Sequence, residues 1–201
     1  MDKIKDLINE KNQGAENNIL ETKYITKEDI PLNGEITKKY NKLAAKSHLG
    51  GQYDWLARFS YAEGIYDLEL SIHVDDKAQG FIKEDVEKIE KHNDSYFKMK
   101  QEPSVQELDI FLYYHFPLLD MSKIDMEKKA KESGFDDIME QTWFCFFPRK
   151  DGTPCGLCNP CKYTREEGMG RRVPDPTIKD KTEFFLRKVN QKVKSVVGGR
   201  K

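Results

Sequence analysis

The segment from Trp143 to Cys161 reads WFCFFPRKDGTPCGLCNPC and contains all four cysteines of this 201-residue chain. The prolines and glycines between the cysteines are typical of tight turns. Two residues between successive ligands allow the last three thiolates to bind one ion. The longer loop of nine residues before them is long enough to bring the first cysteine to the same ion as the fourth ligand. The segment therefore predicts a metal site that fixes the fold of this part of the chain, with the ligands Cys145, Cys155, Cys158 and Cys161.

The spacing alone leaves the identity of the metal open. Four thiolates around one zinc ion form a closed structural site. The spacing C-x2-C-x2-C also binds cubane iron–sulfur clusters, which are the main alternative. Four unconnected thiols would be the simplest interpretation, but the clustering of every cysteine in one segment argues against it. A disulfide framework is not expected in a reducing compartment. Zinc is the cofactor that we expect, partly because of the resemblance described below.

The composition excludes several classes of protein. The chain is polar, with 37% hydrophobic and 34% charged residues, but its 11 Phe, 9 Tyr and 2 Trp are too many for a disordered segment. The 34 Lys and Arg residues balance 35 Asp and Glu residues, which excludes binding of nucleic acid through overall charge. No run approaches the roughly 20 apolar residues of a membrane span, and the start is not a secretory signal. We therefore predict a soluble, cytoplasmic protein without a membrane partner.

The patterning predicts three regions. Residues 1–47 are predicted to be a polar, helical N-terminal segment. Residues 48–173 are predicted to be an α/β domain that contains the zinc segment, residues 142–165. Residues 174–201 are predicted to be an amphipathic C-terminal helix with a proline, Pro176, at its first position. The apolar stripe of that helix consists of Ile178, Phe185, Val189, Val193 and Val196.

A helix followed by a strand begins the predicted α/β domain. Residues 52–63 carry apolar residues at helical spacing. Residues 66–74 alternate between apolar and polar side chains, which is typical of a strand with one dry face. Residues 81–89 return to helical spacing. Residues 105–119 are apolar and aromatic and fit either a helix or a strand, and another helix is predicted for residues 122–133.

The carboxyl end of the predicted strand is a candidate binding site. His73, Asp75 and Asp76 lie there, and ligands of open α/β sheets bind outside the carboxyl ends of strands. We therefore interpret these three residues as candidates for substrate binding. The alternative interpretation is a polar strand-to-helix turn in which Asp76 caps the next helix, and the pattern fits both interpretations equally well.

A basic run after the cysteines consists of Lys162, Arg165, Arg171 and Arg172. Two glutamates interrupt it, so we interpret it as a solvated face, with contact to a phosphate or an RNA backbone as the alternative. The sequence has no G-x-x-x-x-G-K-[ST], G-x-G-x-x-G or G-x-S-x-G motif. No standard triphosphate loop or nucleophile elbow is therefore predicted.

The residues around the cysteines resemble a known family. Thr142-Trp143-Phe144-Cys145 and the run from Pro154 to Cys161, with its C-G-x-C-x-x-C spacing, are similar to the zinc segment of the 7-cyano-7-deazaguanine synthases of the queuosine pathway. Phe116-Pro117-Leu118-Leu119 and Ser122-Lys123 are similar to the family's segment that opens the preceding helix. The resemblance covers roughly residues 49–173. The sequence is more similar still to the divergent synthase-like proteins of bacterial anti-phage and nucleotide-modification operons.

The resemblance implies both a fold and a chemistry. The expected fold is a partial PP-loop, HUP-like, three-layer α/β fold with a C-terminal four-cysteine zinc segment and a terminal helix. Family members are ATP pyrophosphatases that adenylate the carboxylate of 7-carboxy-7-deazaguanine, admit ammonia and finish at the nitrile. The family's S-G-G-x-D-S loop, with its first strand and helix, has no counterpart in this sequence, so ATP is expected only if a partner supplies that loop. The loop after Asp76 also lacks the family's tyrosine-rich pattern, and the catalytic residues stay unknown.

Two functional hypotheses compete. In the first, the chain is the C-terminal half of a synthase-like ligase that forms a nitrile or an amide and needs a partner or a missing segment for ATP. In the second, it is a catalytically inactive, zinc-stabilised module that binds a deazaguanine-like base, an RNA or a protein partner. A free-standing zinc ribbon that binds nucleic acid is a third interpretation, and it predicts salt-dependent binding. The protein partner is either a different chain or a second copy that forms a homodimer through the terminal helix.

Overall fold

Two units make up the chain, one formed by Glu21–Ser122 and the other by Met1–Leu20 together with Lys123–Lys201. The computed structural model describes residues 2–74, 76–92 and 94–198, and the side chains of residues 191–198 lie outside the description. Val193 and Val196 of the predicted apolar stripe are among the latter. Within the described ranges, no helix combines the length and the apolar character that crossing a bilayer requires.

The elements alternate between helices and short strands. The helices are α1 (Asp2–Lys11), α2 (Gly34–Lys46), α3 (Gln52–Glu63), α4 (Gln79–Ile82), α5 (Lys123–Glu132), α6 (Asp136–Met139), α7 (Asn159–Thr164) and α8 (Ile178–Gly198). The strands are β1 (Leu68–Glu69), β2 (Val86–Lys91), β3 (Asp94–Met99) and β4 (Tyr114–Phe116). Short 3-10 turns occur at Ala15–Asn17, Lys27–Asp29, Gln106–Phe111 and Gly170–Arg172, and a π-helical turn at Arg165–Met169.

The strands form one mixed sheet in the unit Glu21–Ser122, in the order β1-β4-β3-β2. β2 and β3 are an antiparallel hairpin, and β3 pairs antiparallel with β4, with Phe97 opposite Phe116. β1 pairs parallel with β4, with Leu68 opposite Tyr114. Among the described strands, β1 and β2 are therefore the sheet edges. The predicted α/β class is confirmed by this sheet, the four-cysteine segment and the terminal helix.

The core of this unit lies between the sheet and the helices α2, α3 and α4. Apolar positions at helical spacing put Leu43 and Ala57 inside, where they are at most 1% exposed. Burial of a large apolar side chain contributes roughly 1.5–3 kcal/mol. The largest fully buried members of this core are Tyr114, Phe111, Phe116, Leu43, Ile82 and Ile110.

A buried arginine ties the chain before α2 to α3. Arg58 is 5% exposed, and its Nε pairs with Asp54 Oδ2 at 3.2 Å, one helical turn earlier. Its Nη1 donates to the carbonyl oxygens of Ile30 and Pro31 at 3.3 and 3.0 Å. Thr37 Oγ1 donates to the other Asp54 oxygen at 2.6 Å. The guanidinium therefore satisfies two loop carbonyls and a carboxylate inside the unit, as a buried charge requires.

The region from residue 66 to residue 89 departs from its predicted elements. The strand predicted for residues 66–74 forms a regular ladder only at β1, because its partner β4 has three residues, although Leu70 N still donates to His115 O at 2.9 Å. The helix predicted for residues 81–89 is wrong, since α4 ends at Ile82 and β2 begins at Val86. Asp85 explains the break. Its carboxylate accepts hydrogen bonds from Ser104 N and Oγ at 2.6 and 2.8 Å, which turns the chain into the hairpin.

Other elements agree with their predictions. α3 spans residues 52–63 as predicted, and α5 spans nearly all of the predicted 122–133 helix. Residues 105–119, which fitted either element, contain a 3-10 turn followed by β4. The terminal helix α8 begins at Ile178, two residues after the predicted first position. Its cap explains the shift, because Asp180 N donates to Thr177 Oγ1 at 3.2 Å while Thr177 N donates to Asp180 Oδ2 at 2.7 Å.

Candidate functional site

The four cysteine sulfurs come together in one buried cluster. All of them lie within 4.8 Å of one another. Cys158 Sγ lies 3.4 Å from Cys161 Sγ and 3.9 Å from Cys145 Sγ, and Cys155 Sγ lies 3.9 Å from Cys161 Sγ. Four sulfurs bound tetrahedrally at about 2.3 Å would be about 3.8 Å apart. The cluster therefore fits a single ion, whereas a cubane would bind each thiolate to a different iron and spread them further.

The turn between the second and third cysteines positions its sulfurs through the backbone. The N–H groups of Leu157 and Cys158 both donate to Cys155 Sγ at 3.4 Å, and Cys155 N donates to Cys145 Sγ at 3.3 Å. Gly156 has φ +74°, in the left-handed region. A Cβ there would lie 2.6 Å from Pro174 O, so the position accepts only glycine. These amide donors disperse the negative charge that thiolate ligands carry.

Burial and hydrogen bonding act on the thiols in opposite directions. Burial raises the pKa of Cys145 and of Cys161, and neighbouring thiols raise the pKa of Cys161 further. Burial also disfavours the Cys158 thiolate, but hydrogen bonds from the backbone of Cys161 and Phe146 outweigh it and lower the Cys158 pKa. Four buried thiolates need a cation to neutralise them. The donor set, its spacing and its amide donors therefore fit a bound divalent metal ion.

Arginines hold the chain around the cluster. Arg165 Nη1 donates to Gly156 O at 2.9 Å, and its Nη2 donates to Pro174 O at 2.8 Å. Arg172 Nη2 donates to Thr142 O at 2.6 Å, and its guanidinium lies 5.1 Å from the Phe144 ring centre. The basic run was predicted to be a solvated face, but these two side chains are instead engaged inside the unit. They are therefore not available for a phosphate or an RNA backbone.

The terminal helix is attached to the same segment. Arg149 forms a two-pronged pair with Asp180, with Nε–Oδ1 at 3.1 Å and Nη2–Oδ2 at 2.9 Å. The rings of Phe147 and Phe184 meet edge to face at 5.3 Å between centres. Arg187 Nη1 donates to Pro148 O at 3.0 Å. The cysteine segment and α8 are thus joined by charge, ring and backbone contacts.

The three predicted substrate-binding residues do not share one environment in the structure. Asp75 lies outside the described residues. The Asp76 carboxylate lines a cavity, and its Oδ1 accepts a hydrogen bond from Ala78 N at 2.8 Å, so it also shapes the turn before α4. His73 Nδ1 lies 2.6 Å from Val74 O, and His73 is not among the residues that line the cavity. Their role in substrate binding stays a prediction.

That cavity lies in the unit Glu21–Ser122 and has a volume of about 350 Å³, within the range of small-molecule sites. Burial and the charge of Asp76, which lines the cavity, raise the pKa of the Tyr53 hydroxyl. Of the residues that line the cavity, the sequence analysis identified Asp76 and missed the others, although several of them follow Asp76 directly in the chain. Its side chains come from Ser47, Asp76, Lys77, Gln79, Phe81 and Lys83.

Comparisons with known proteins converge on one family. The model of the queuosine biosynthesis protein QueC family matches residues 64–172. The 7-cyano-7-deazaguanine synthase of Rhizorhabdus wittichii is 36% identical over 64 residues, which are 32% of this chain and 27% of that protein. The 7-cyano-7-deazaguanine synthase 1 of Sphingopyxis alaskensis is 34% identical over 65 residues, 32% of this chain and 28% of that protein. This chain thus spans little more than a quarter of the length of these curated relatives. No solved structure matches it.

Proposed function

This chain belongs to the queuosine biosynthesis protein QueC family, and on that premise we propose that it is the C-terminal half of a 7-cyano-7-deazaguanine synthase-like, ATP-dependent ligase. The proposed reaction activates a substrate carboxylate by adenylation and then admits ammonia, which leads to a nitrile or an amide. One observation carries the proposal. The range that matches the family contains the four-sulfur cluster and, from Asp76 to Lys83, most of the lining of a cavity of about 350 Å³.

Zinc is the proposed ion of the cysteine cluster. Cys145, Cys155, Cys158 and Cys161 would hold it and fill all four positions. A closed shell leaves no vacancy for water or substrate, so the ion's contribution is the folding of the segment. The hydrogen bond from Arg165 to Gly156 O then fixes the neighbouring backbone, and the ion pair of Arg149 with Asp180 fixes α8 to the same segment. The metal is therefore proposed as structural.

The nucleotide site is proposed to come from outside the described residues. ATP pyrophosphatases of this type hold the pyrophosphate in a nest of backbone amides at a helix N-terminus. Among the described strands, β1 lies at an edge of the sheet and pairs parallel with β4, whereas parallel strands normally have neighbours on both sides. The free edge of β1 is therefore the proposed place where a nucleotide-binding strand would be added, by a partner protein or by another segment.

The proposal is tested with ATP and 7-carboxy-7-deazaguanine. A pull-down from the native host, followed by mass spectrometry, identifies the partner, and pyrophosphate release is then measured for the chain, the partner and both together. We expect release only from the combination. Release by the chain alone would contradict the proposal, as would a reconstituted complex that binds both ligands but forms no adenylate.

A binding module without turnover is the second candidate. The cavity and the sulfur cluster both lie within the described residues, without any contribution from an ATP loop. Such a module would bind a deazaguanine-like base without releasing pyrophosphate in any complex. The internal use of Arg165 and Arg172 argues against RNA as its ligand.

A further inference from the structure

The contacts that attach α8 to the cysteine segment come from one face of the helix. Asp180 forms an ion pair with Arg149, and the Phe184 ring packs edge to face on Phe147. Arg187 donates to a backbone carbonyl of the same segment. These three helix positions are spaced by four and three residues, so they share one side of the helix. That side is turned toward the body of its unit.

The opposite face of α8 is apolar and exposed. Each residue advances about 100° around a helix, so Ile178, Phe185 and Val189 lie together, roughly opposite to the attached side. Their side chains are 84%, 66% and 41% exposed, and Leu186 at the border of this face is 55% exposed. An amphipathic helix normally turns its apolar face to the core, whereas α8 turns its apolar face outward. A contiguous apolar face of this kind marks an interaction surface.

The charge of the same region indicates the partner. Residues 178–201 contain eight Lys or Arg residues and two Asp or Glu residues, which is a net charge of +6 in a chain whose net charge is -1. Residues 1–177 contain 26 Lys or Arg residues against 33 Asp or Glu residues, a net charge of -7. A basic terminal region on an otherwise acidic chain favours an anionic partner.

Lysines stand at both borders of the apolar face. Lys179 lies on one side of it, and Lys181 and Lys188 lie on the other side, seven residues apart. Among the described residues, no ion pair involves these three lysines, and Lys188 Nζ lies 4.9 Å from the centre of the Phe184 ring. A lysine at such a border can keep its methylene groups in apolar surroundings while its ammonium group reaches a polar layer. The helix therefore fits a surface that is apolar inside and anionic outside.

Other occupants fit this pattern less well. Two copies of α8 that pack face to face would bring their lysine borders together, and like charges repel each other. A nucleic acid would pair with the lysines but would leave the apolar face against phosphates and water. The boundary of an anionic bilayer accepts both features at once, because acyl chains take the apolar face and lipid headgroups take the lysines.

We propose that α8 docks this protein on an anionic lipid surface, with its apolar face at the boundary between headgroups and acyl chains. The prediction of no membrane partner rested on the absence of a spanning segment, and a helix that lies in the interface needs none. The inference is independent of the proposed ligase reaction, because it involves neither the cavity nor a nucleotide.

The test measures binding of the metal-loaded full chain to lipid vesicles by flotation. One set of vesicles contains phosphatidylglycerol and phosphatidylcholine in equal parts, and the other contains phosphatidylcholine alone. We expect binding to the anionic vesicles that weakens with added salt, and at least about tenfold weaker binding to the neutral vesicles. Each lysine near an anionic surface contributes roughly a factor of five. The double variant Lys179→Gln and Lys181→Gln should therefore bind the anionic vesicles roughly 25-fold more weakly.

The apolar face and the lysines each have a matched control. Phe185→Ser removes a ring that is 66% exposed, so it should leave the fold intact and weaken vesicle binding about tenfold or more. Phe146→Ser removes a ring of similar exposure outside the helix, and it should bind vesicles like the wild type. The control for charge is Lys83→Gln with Lys128→Gln, two exposed lysines outside α8, which should leave vesicle binding unchanged.

Several results would overturn the proposal. They are a lack of binding to the anionic vesicles, equal binding to both kinds of vesicle, and wild-type binding by Phe185→Ser. A dimer in sedimentation velocity that Phe185→Ser dissociates would assign the face to a second copy instead, and preferential binding of single-stranded RNA over anionic vesicles would assign the lysines to nucleic acid. Because pyrophosphate release is not part of this assay, failure of the ligase proposal would leave the lipid assignment intact, and the reverse also holds.

Discussion

Replacement of Cys158 by Ser tests the metal centre most directly. Its sulfur forms one corner of the cluster, 3.4 Å from Cys161 Sγ and 3.9 Å from Cys145 Sγ. Structural zinc contributes about 10–16 kcal/mol in small zinc domains, which is about 2.5–4 kcal/mol for each of four thiolates. Since 1.4 kcal/mol corresponds to a factor of ten, the variant should bind zinc roughly 100- to 1000-fold more weakly. The thermal midpoint should fall as well, because the loss is a large part of a typical stability of about 5–15 kcal/mol.

The assay exploits the distribution of cysteines. Because the chain has no cysteine outside the cluster, a thiol reagent reports on this site alone. The metal-loaded wild type should react slowly and release four thiols and one zinc when a chelator is added. Cys158→Ser should release three thiols and lose its zinc at a far lower chelator concentration. Elemental analysis should find zinc and no iron.

A matched control separates the ligand from its surroundings. Phe146 is 71% exposed beside Cys145, so Phe146→Ser should leave zinc affinity and melting unchanged. Wild-type protein that is folded but free of metal would refute the reasoning. Unchanged zinc affinity and an unchanged melting curve in Cys158→Ser would refute it too.

Three further predictions concern stability. Arg58→Met should lower the free energy of unfolding by about 3–5 kcal/mol in a urea titration, because it leaves the buried Asp54 carboxylate without its cation. As a control, Lys23→Met removes one partner of an exposed ion pair and should lower the free energy of unfolding by less than about 1 kcal/mol. Hydrogen bonds from Thr177, and then the Arg149 charge, hold the pKa of Asp180 below its usual 3.8. The ionised Asp180 carboxylate therefore stabilises the folded state at neutral pH, and this contribution is lost as the pH falls below that value. Asp180→Asn should therefore lower the thermal midpoint at pH 7 but not at acid extremes, and equal midpoints at pH 7 would contradict this. Arg149→Lys should speed hydrogen exchange in the first turns of α8 without loss of zinc, and unchanged exchange would refute its role as a tether.

The sequence was most informative where structure is local. The helix at residues 52–63 was predicted with its observed bounds, because its apolar spacing and the glycine that ends it lie within one segment. The four sulfurs could also be grouped in advance, because their spacing and turns are encoded in nineteen consecutive residues. Both features depend on contacts between residues that are close in the chain.

The errors arose where distant residues decide the structure. Ile82, Val86 and Ile89 have helical spacing, but pairing with β3 and the bond from Ser104 to Asp85 impose a strand. Tertiary contacts override such local patterns routinely. The cavity was missed for the same reason: a lysine in a polar loop looks like any solvated charge until the fold places it beside others.

The close approach at Gly156 has a mechanical consequence. The peptide carbonyl of Pro174, just ahead of the terminal helix, rests where a side chain would otherwise begin, and Arg165 clamps the two peptides together. Because these contacts are close, a displacement of that helix would be transmitted directly to the turn between Cys155 and Cys158. A force applied to the terminal helix would therefore act on the geometry of the four-sulfur cluster.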